Sequence, residues 1–172
     1  MWKSQIQALM DCTSNRIEII HDGKRIDQPN GILVDFDENK VYATDQNCCV
    51  CVSDVHDLKG EGKVFITKDV LEKVFKLKGN PDILITPTEI GGLPYEPIME
   101  TMDFIAECFP KQFNEVRSFG LFTAKAMSAY EKLESVFGHF ETHKSCGNGN
   151  LYAENNRPLR NKVKFITMAL SL

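Results

Sequence analysis

The sequence predicts an α+β fold in which antiparallel sheets carry their helices on one face. Three observations lead there. Apolar residues alternate with period two over many short segments, and turn-forming residues join several neighbours into hairpins. Two longer segments keep helical spacing directly after a threonine. Those two segments also share one pattern: an apolar strand, a Thr cap, then an amphipathic helix carrying Lys. With 172 residues and 42% hydrophobic content, the chain can bury one core, or one and part of a second.

The elements follow in order. Ser4 to Cys12 carries Ile6, Leu9 and Met10 at helical spacing, with Ser4 as its expected N-cap. Arg16 to Ile20 is strand-like, and His21 to Lys24 is a turn. Gly31 to Phe36 is a strand, Asp37 to Lys40 a tight turn, and Val41 to Thr44 the return strand. Cys48 to Val52 continues the meander, and Lys63 to Ile66 adds a strand. Thr67 then caps a helix from Lys68 to about Lys78, with Val70, Leu71, Val74, Phe75 and Leu77 as its apolar side. Gly79-Asn80-Pro81 stops it. Asp82 to Thr86 is expected as a strand, residues 87–97 as a loop or broken hairpin, and Met102 to Glu107 as a short strand. Gly120 to Phe122 ends a strand, Thr123 caps a helix from Ala124 to about Phe137, and Gly138 terminates it. Phe140 to Lys144, Asn150 to Glu154 and Val163 to Leu170 are the last strands. Matching residues 64–71 to 120–127 suggests an internal repeat of about 50 to 60 residues.

The last strand runs into Met168-Ala169-Leu170-Ser171-Leu172. Val163, Phe165 and Thr167 share one face, and Lys164, Ile166 and Met168 the other. Such an apolar end either completes the core or lines a groove for partner peptides, where Met and Leu repack around varied ligands.

Net charge is −4, so no global basic field draws the chain to nucleic acid, and any such contact needs a local basic face. No apolar run is long enough to span a membrane. Met1-Trp2-Lys3-Ser4-Gln5 is not followed by the apolar stretch of a signal peptide, so a cytoplasmic protein is expected. Of six cysteines, Cys48, Cys49 and Cys51 lie in one apolar strand, where Cys49 and Cys51 share a face and Cys48 takes the other. Cys12, Cys108 and Cys146 supply no second pair at zinc-knuckle spacing, so small buried hydrophobes are expected rather than a metal site.

Catalysis finds little support. Gly147-Asn148-Gly149-Asn150 lacks the Lys-Ser/Thr and helix of a phosphate loop. His21, His56, His139 and His143 scatter over turns and edges, and Asp35 and Asp37 sit on a hairpin edge. Neither a catalytic residue nor a cofactor is expected.

Asn30-Gly31-Ile32-Leu33-Val34-Asp35-Phe36 followed by Val41-Tyr42-Ala43-Thr44-Asp45 resembles the middle domain of bacterial sliding DNA clamps, the beta subunit of DNA polymerase III. Phe109-Pro110-Lys111-Gln112-Phe113 is similar to that domain's closing Phe/Tyr-Pro-Asp-Tyr/Phe segment, and Met168 to Leu172 to the family's terminal Met-Pro-Met-Arg-Leu. The three segments fall in the family's order. Gln46-Asn47 stand where the family has Gly-His, and Ala169 where it has Pro. The length suits about one and a half clamp domains, as in a compact, phage-like version: residues 1–117 as one domain and 118–172 as a half domain.

The resemblance implies a DNA clamp-like fold and a processivity factor that encircles duplex DNA without reading sequence, in the cytoplasm of a bacterial or phage-infected cell. It implies a homo-oligomer. A conventional ring has twelve helix-plus-strands units, so a chain with three makes a tetramer the arithmetic favourite. It implies a groove for peptides of DNA polymerase and clamp loader, drawing on Thr44, Cys49, Pro110, Val116, Ile166, Met168 and Leu170. It implies DNA-facing helices, with Lys68, Lys73, Lys76 and Lys78 set against Asp69 and Glu72, and Lys125 and Lys132 against Glu131 and Glu134. The alternative is a clamp-fold protein that forms no ring and serves as an adaptor or decoy for such peptides.

Overall fold

The computed structural model describes residues 1–13, 16–21, 24–45, 47–98, 105, 108–113, 119–147, 149–155 and 161–169. In chain order the elements are α1 (Lys3–Met10), β1 (Arg16–His21), β2 (Lys24–Pro29), β3 (Gly31–Asp35), β4 (Lys40–Thr44), β5 (Cys48–Ser53), β6 (Lys63–Thr67), α2 (Lys68–Phe75), β7 (Glu89–Ile90), β8 (Leu93–Pro94), α3 (Ala124–Phe137), β9 (Thr142–Cys146), β10 (Asn150–Asn155) and β11 (Lys162–Thr167). The fold is α+β. Seven strands form one antiparallel sheet in the order β6-β3-β4-β5-β11-β10-β9, while β1-β2 and β7-β8 pair separately. No helix among the described residues is long and apolar enough to cross a membrane.

The strand order reads alike outward from the β5–β11 joint. Past the β1-β2 hairpin, α1 is followed by the meander β3-β4-β5, and α3 is followed by the meander β9-β10-β11. The two last strands, β5 and β11, then pair with each other from Cys48↔Thr167 to Ser53↔Lys162. The internal repeat is therefore α1 with α3. The repeat expected between residues 64–71 and 120–127 is corrected: β6 and α2 do form strand and helix, but Gly120 to Phe122 is not a strand. Gly120 instead donates its N–H to the Gly149 carbonyl at 2.9 Å. Strands from both sides of the expected boundary at residues 117 and 118 share this one sheet.

Alternation decides the two faces. Ile32, Val34, Val41, Ala43, Cys48, Val50, Val52, Val64, Ile66, Ala153, Val163 and Phe165 join one core with Ile6 and Leu9 of α1, Leu71 and Val74 of α2, and Leu133 and Phe137 of α3. All three helices thus lie on one face, and α1 touches both α2 and α3. The intervening residues face the other way. Leu33, Tyr42, Cys51 and Phe65 pack under Ile98, Ile105 and Phe109, and Cys49, Cys146, Tyr152 and Ile166 pack under Phe109 and Phe113. Burial on both sides explains why β3 and β5 read as nearly unbroken apolar runs.

Several element ends differ from the sequence pattern. Trp2, not Ser4, is the N-cap of α1, and the Ser4 N–H donates to Asn80 Oδ1 at 2.8 Å. α2 stops at Phe75 rather than Lys78: the chain tightens there, with the Lys76 N–H donating to Lys73 O at 3.2 Å and the Leu77 N–H to Val74 O at 3.0 Å, and the Leu77 carbonyl accepts from Lys3 Nζ at 2.5 Å. Thr67 is the N-cap of α2 without a side-chain cap bond; the Lys68 N–H donates to the Asn30 carbonyl at 2.7 Å instead. Residues 82–86 form isolated bridges rather than a strand. Ile83 donates to Met1 O at 2.8 Å and Ile85 to Asp57 O at 2.9 Å, so these hydrogen bonds go to separate partners. β9 begins at Thr142 rather than Phe140, and β11 ends at Thr167. The expected strand at Met102 to Glu107 lies outside the described residues except for Ile105. As expected, Thr123 Oγ1 accepts the Ala126 N–H at 3.1 Å, and Gly138 closes α3 at φ 94°.

β3 and β6 meet closely at Gly31. A Cβ there would stand 2.1 Å from the Ile66 carbonyl oxygen and 2.8 Å from the Phe65 ring. Gly31→Ala should therefore lower stability by about 1–3 kcal/mol or more, as overpacking against backbone does, with thermal melting as the measurement. An unchanged melting temperature would mean that β6 can separate from β3 without loss.

Candidate functional site

Thr44, Cys49, Ile166 and Met168 of the proposed groove lie at the end of the sheet where β4 and β11 stop and β5 begins. β4 ends in Thr44, whose hydroxyl donates to the Cys48 carbonyl at 2.8 Å and touches Cys49 Sγ at 3.1 Å. Cys49 pairs across the β5–β11 joint with Ile166. Beyond β11 the chain stays close, since the Met168 N–H donates to Asn47 O at 2.8 Å and the Ala169 N–H to Asn150 Oδ1 at 2.8 Å. A cavity of about 180 Å³ opens there, lined by Asn47, Cys48, Cys49, Cys108, Asn150, Ile166 and Met168.

Three of the seven expected groove residues, Cys49, Ile166 and Met168, therefore line one cavity. Thr44 lies directly behind it against Cys49. Pro110 is half-buried beside Phe109, whose ring packs into the Cys49–Ile166 cluster. Val116 and Leu170 lie outside the described residues. Met168 is 49% exposed whereas Ile166 is 8% exposed, so the first is a surface side chain and the second a core one. Phe119 and Leu121 are also exposed, and the residue between them, Gly120, abuts Ala169. An apolar strip thus flanks the cavity mouth.

Sequence reasoning missed Cys108, Asn47 and Asn150 in the lining, and Phe113 and Tyr152 beneath it. Phe113 and Tyr152 meet with ring centroids 4.9 Å apart and planes tilted by 56°, and Lys144 Nζ sits 4.4 Å from the centroid of the Phe113 ring. Phe113 was legible as an aromatic inside the Phe-Pro segment. Asn47 and Asn150 are turn residues whose lining role exists only once two distant turns meet.

The cysteines follow the alternation expected of them, with Cys48 on the helix face and Cys49 and Cys51 on the other. None of the six is in a disulfide. Burial pushes the Cys51 thiol up to about 11. The Cys49 thiol is raised well above its ordinary value by its hydrogen bond with Cys108 and then by burial. Among the described residues no three His, Cys, Asp or Glu are arranged to hold a metal ion. His143 Nε2 bonds the Tyr130 hydroxyl at 2.7 Å, and His139 Nδ1 lies 2.8 Å from Glu134.

The lysines divide into two groups. Lys73, Lys76 and Lys78 are exposed at and beyond the end of α2, and half-buried Lys68 lies 3.7 Å from Glu72. On α3, Lys132 Nζ lies 3.1 Å from Asp11, and Lys125 Nζ lies 2.8 Å from the buried carboxylate of Asp45. Lys125 also donates to the Thr13 carbonyl at 3.2 Å. Both α3 lysines are thus tied to neighbouring acids.

Asp45 stands behind the cavity wall. Its Oδ1 accepts the N–H groups of Asn47 at 3.0 Å and Cys48 at 2.9 Å, which shapes the turn between β4 and β5. Burial favours its neutral form, but the bonds from Lys125 and Cys48 outweigh burial and hold its carboxyl below the usual range. A depressed folded value means that the stabilisation is present above the unfolded value of about 3.9 and is lost as pH falls through the folded one. Asp45→Asn should therefore lower stability at neutral pH and flatten its decline in the acid range, read by melting curves across pH. An identical pH slope in wild type and Asp45→Asn would remove Asp45 from the acid response.

No family model, curated protein or solved structure matches the chain.

Proposed function

We propose that this chain is a sliding-clamp-like processivity factor. In this reading it encircles duplex DNA as a homo-oligomer and tethers replication proteins through the groove at Cys49, Ile166 and Met168. The observation that best supports the reading is the paired architecture. Two helix-and-meander units abut through their last strands, all helices lie on one face, and the groove opens where that joint ends. A helix layer on one side and a sheet on the other is the layering a ring needs if helices are to line its hole. The motif order of the sequence adds to it.

The helix face would meet DNA through phosphates, without base contacts. Lys73 on α2, and Lys76 and Lys78 just beyond it, are exposed cations there. Replacing all three by Glu should weaken DNA association and flatten its dependence on salt, measured by titrating DNA at several ionic strengths. Equal affinity and equal salt slope in the triple variant would refute a DNA-facing role for this end of α2.

Ring stoichiometry follows from the units. The three α-helices among the described residues favour four chains, and the two helix-and-meander units favour six. Light scattering at micromolar concentration distinguishes the two. A strict monomer there would favour the second reading, an adaptor or decoy that takes the same peptides without closing a ring. The pairing of Lys125 with Asp45 and of Lys132 with Asp11 favours that second reading, because it shrinks the positive face available to DNA.

The groove would bind a short peptide with Leu and Phe anchors at near-micromolar affinity, about −8 kcal/mol. Met168→Ala should cut that affinity several-fold at little cost to stability, since the side chain is half exposed. Ile166→Ala should instead cost roughly 2–5 kcal/mol of stability, as loss of a buried side chain does. Calorimetric titration and melting of both variants check this. Full peptide affinity in folded Met168→Ala would exclude Met168 from the groove.

A further inference from the structure

The cavity holds chemistry that peptide binding does not use. Cys49 and Cys108 both line it, and their thiols are hydrogen-bonded to each other. The two differ in access. Cys49 is 7% exposed on the central strand β5, while Cys108 is exposed and stands outside the sheet. The two positions are far apart in sequence, so neither sequence spacing nor strand alternation brings them together. The other sulfur of the β4–β5 turn, Cys48, faces the opposite side of the sheet, where its thiol neighbours that of Cys12. Both residues of that second pair are buried, whereas Cys108 is exposed.

We propose that Cys49 and Cys108 form a thiol–disulfide site whose co-substrate is a low-molecular-weight disulfide such as oxidised glutathione. The exposed Cys108 reacts first. Its thiolate attacks one sulfur of the small disulfide, a Cys108–S bond forms, the small S–S bond breaks, and one small thiolate leaves and takes up a proton. Cys49 then attacks the Cys108 sulfur. The internal S–S bond forms, the mixed disulfide breaks, and the second small thiolate leaves and takes the Cys49 proton. The protein dithiol is oxidised by two electrons and the small disulfide is reduced to two thiols. In the dithiol the Cys108 hydrogen bond and burial both raise the Cys49 thiol; once Cys108 is in the mixed disulfide, burial still disfavours the Cys49 thiolate, so proximity must drive the resolution.

Closing the bond draws the sulfurs from hydrogen-bond contact to about 2.05 Å. Cys49 is fixed by its pairing with Ile166 and its contact with Thr44, so the movement falls on Cys108 and narrows the cavity between Cys49 and Met168. This gating effect rests on the groove reading; the thiol chemistry does not.

The test equilibrates the full chain with oxidised and reduced glutathione at several ratios and reads intact mass and disulfide-linked fragments. The expected product is a Cys49–Cys108 bond with no retained glutathione. Cys49→Ser should stop at one glutathione on Cys108, and Cys108→Ser should stay unmodified. Stable glutathione on wild-type Cys108, or a bond between Cys12 and Cys48 instead, would overturn the proposal. For gating, oxidation should weaken peptide binding about tenfold, with recovery on reduction and no change in Cys108→Ser. Equal binding by reduced and oxidised wild type would overturn the gating. Absence of peptide binding to the reduced protein would instead end the groove reading, and the mass measurement, which needs no peptide, still decides the thiol site.

Discussion

Six residue pairs between Cys48–Ser53 and Lys162–Thr167 join the two halves of the sheet, and most of what the molecule displays depends on them. The strands are separated by more than half the chain, so this joint closes a long loop at an entropic cost that grows only slowly with length. Val52 faces Val163 and Val50 faces Phe165 across it, on the side covered by the helices. Above them α1 packs against α3, and the Tyr130, Phe140 and Phe165 rings meet at 5.0–6.4 Å. Were the joint absent, each half would hold a three- or four-stranded sheet with an open edge. Such non-local pairing also puts the fold among those expected to form slowly, because the joint cannot assemble before its ends meet.

Much of each half was legible from local chemistry. Period-two alternation located β3, β4, β5, β6, β10 and β11, and assigned Cys48, Cys49 and Cys51 to their correct faces. The Thr123 cap and Gly138 bounded α3, because both signals act within one helical turn. Long-range partners were not legible. Nothing in the sequence near Lys78 says that Lys3 will take the Leu77 carbonyl beyond the end of α2. Nothing near Asp82 says that Ile83 and Ile85 will divide their backbone bonds between Met1 and Asp57. The strand, Thr cap and helix pattern points to residues 64–71 and 120–127, whereas the spatial repeat relates α1 to α3 and leaves little trace in residue identity. For the candidate site, Cys49, Ile166 and Met168 were accessible through the motif order, but Cys108, Asn47 and Asn150 were not, since turns from three distant segments supply them.

Charge placement separates structural from presented groups. Asp45 is buried, yet its carboxylate is satisfied by two backbone N–H groups, the Cys48 thiol and Lys125. A buried carboxylate left short of partners would be destabilising, so this set works as a unit and breaking any member strands the rest. It ties α3 on one face to the turn that walls the groove on the other. Lys125 is thereby a strut, whereas Lys73 in the last turn of α2 and Lys76 and Lys78 beyond it remain at the surface.

The two faces of the sheet explain why a cavity opens where it does. The helix face is closed by three helices whose apolar stripes match the alternation of the strands beneath. Among the described residues no α-helix packs on the opposite face. It is covered by single side chains, Ile98, Ile105, Phe109 and Phe113, that reach over Leu33, Tyr42, Cys51, Phe65 and Tyr152. Cys108 and Phe109 of this cover lie at the end of the sheet where β4 and β11 stop and β5 begins. There Cys49 and Ile166 line the cavity. Half-exposed Met168 is the residue nearest to filling the gap. A side chain with three rotatable bonds and a polarizable sulfur fills an irregular gap without fixing its shape. The opening is thus a consequence of covering one face with helices and the other with a strap, and its plasticity follows from the residue left at its rim.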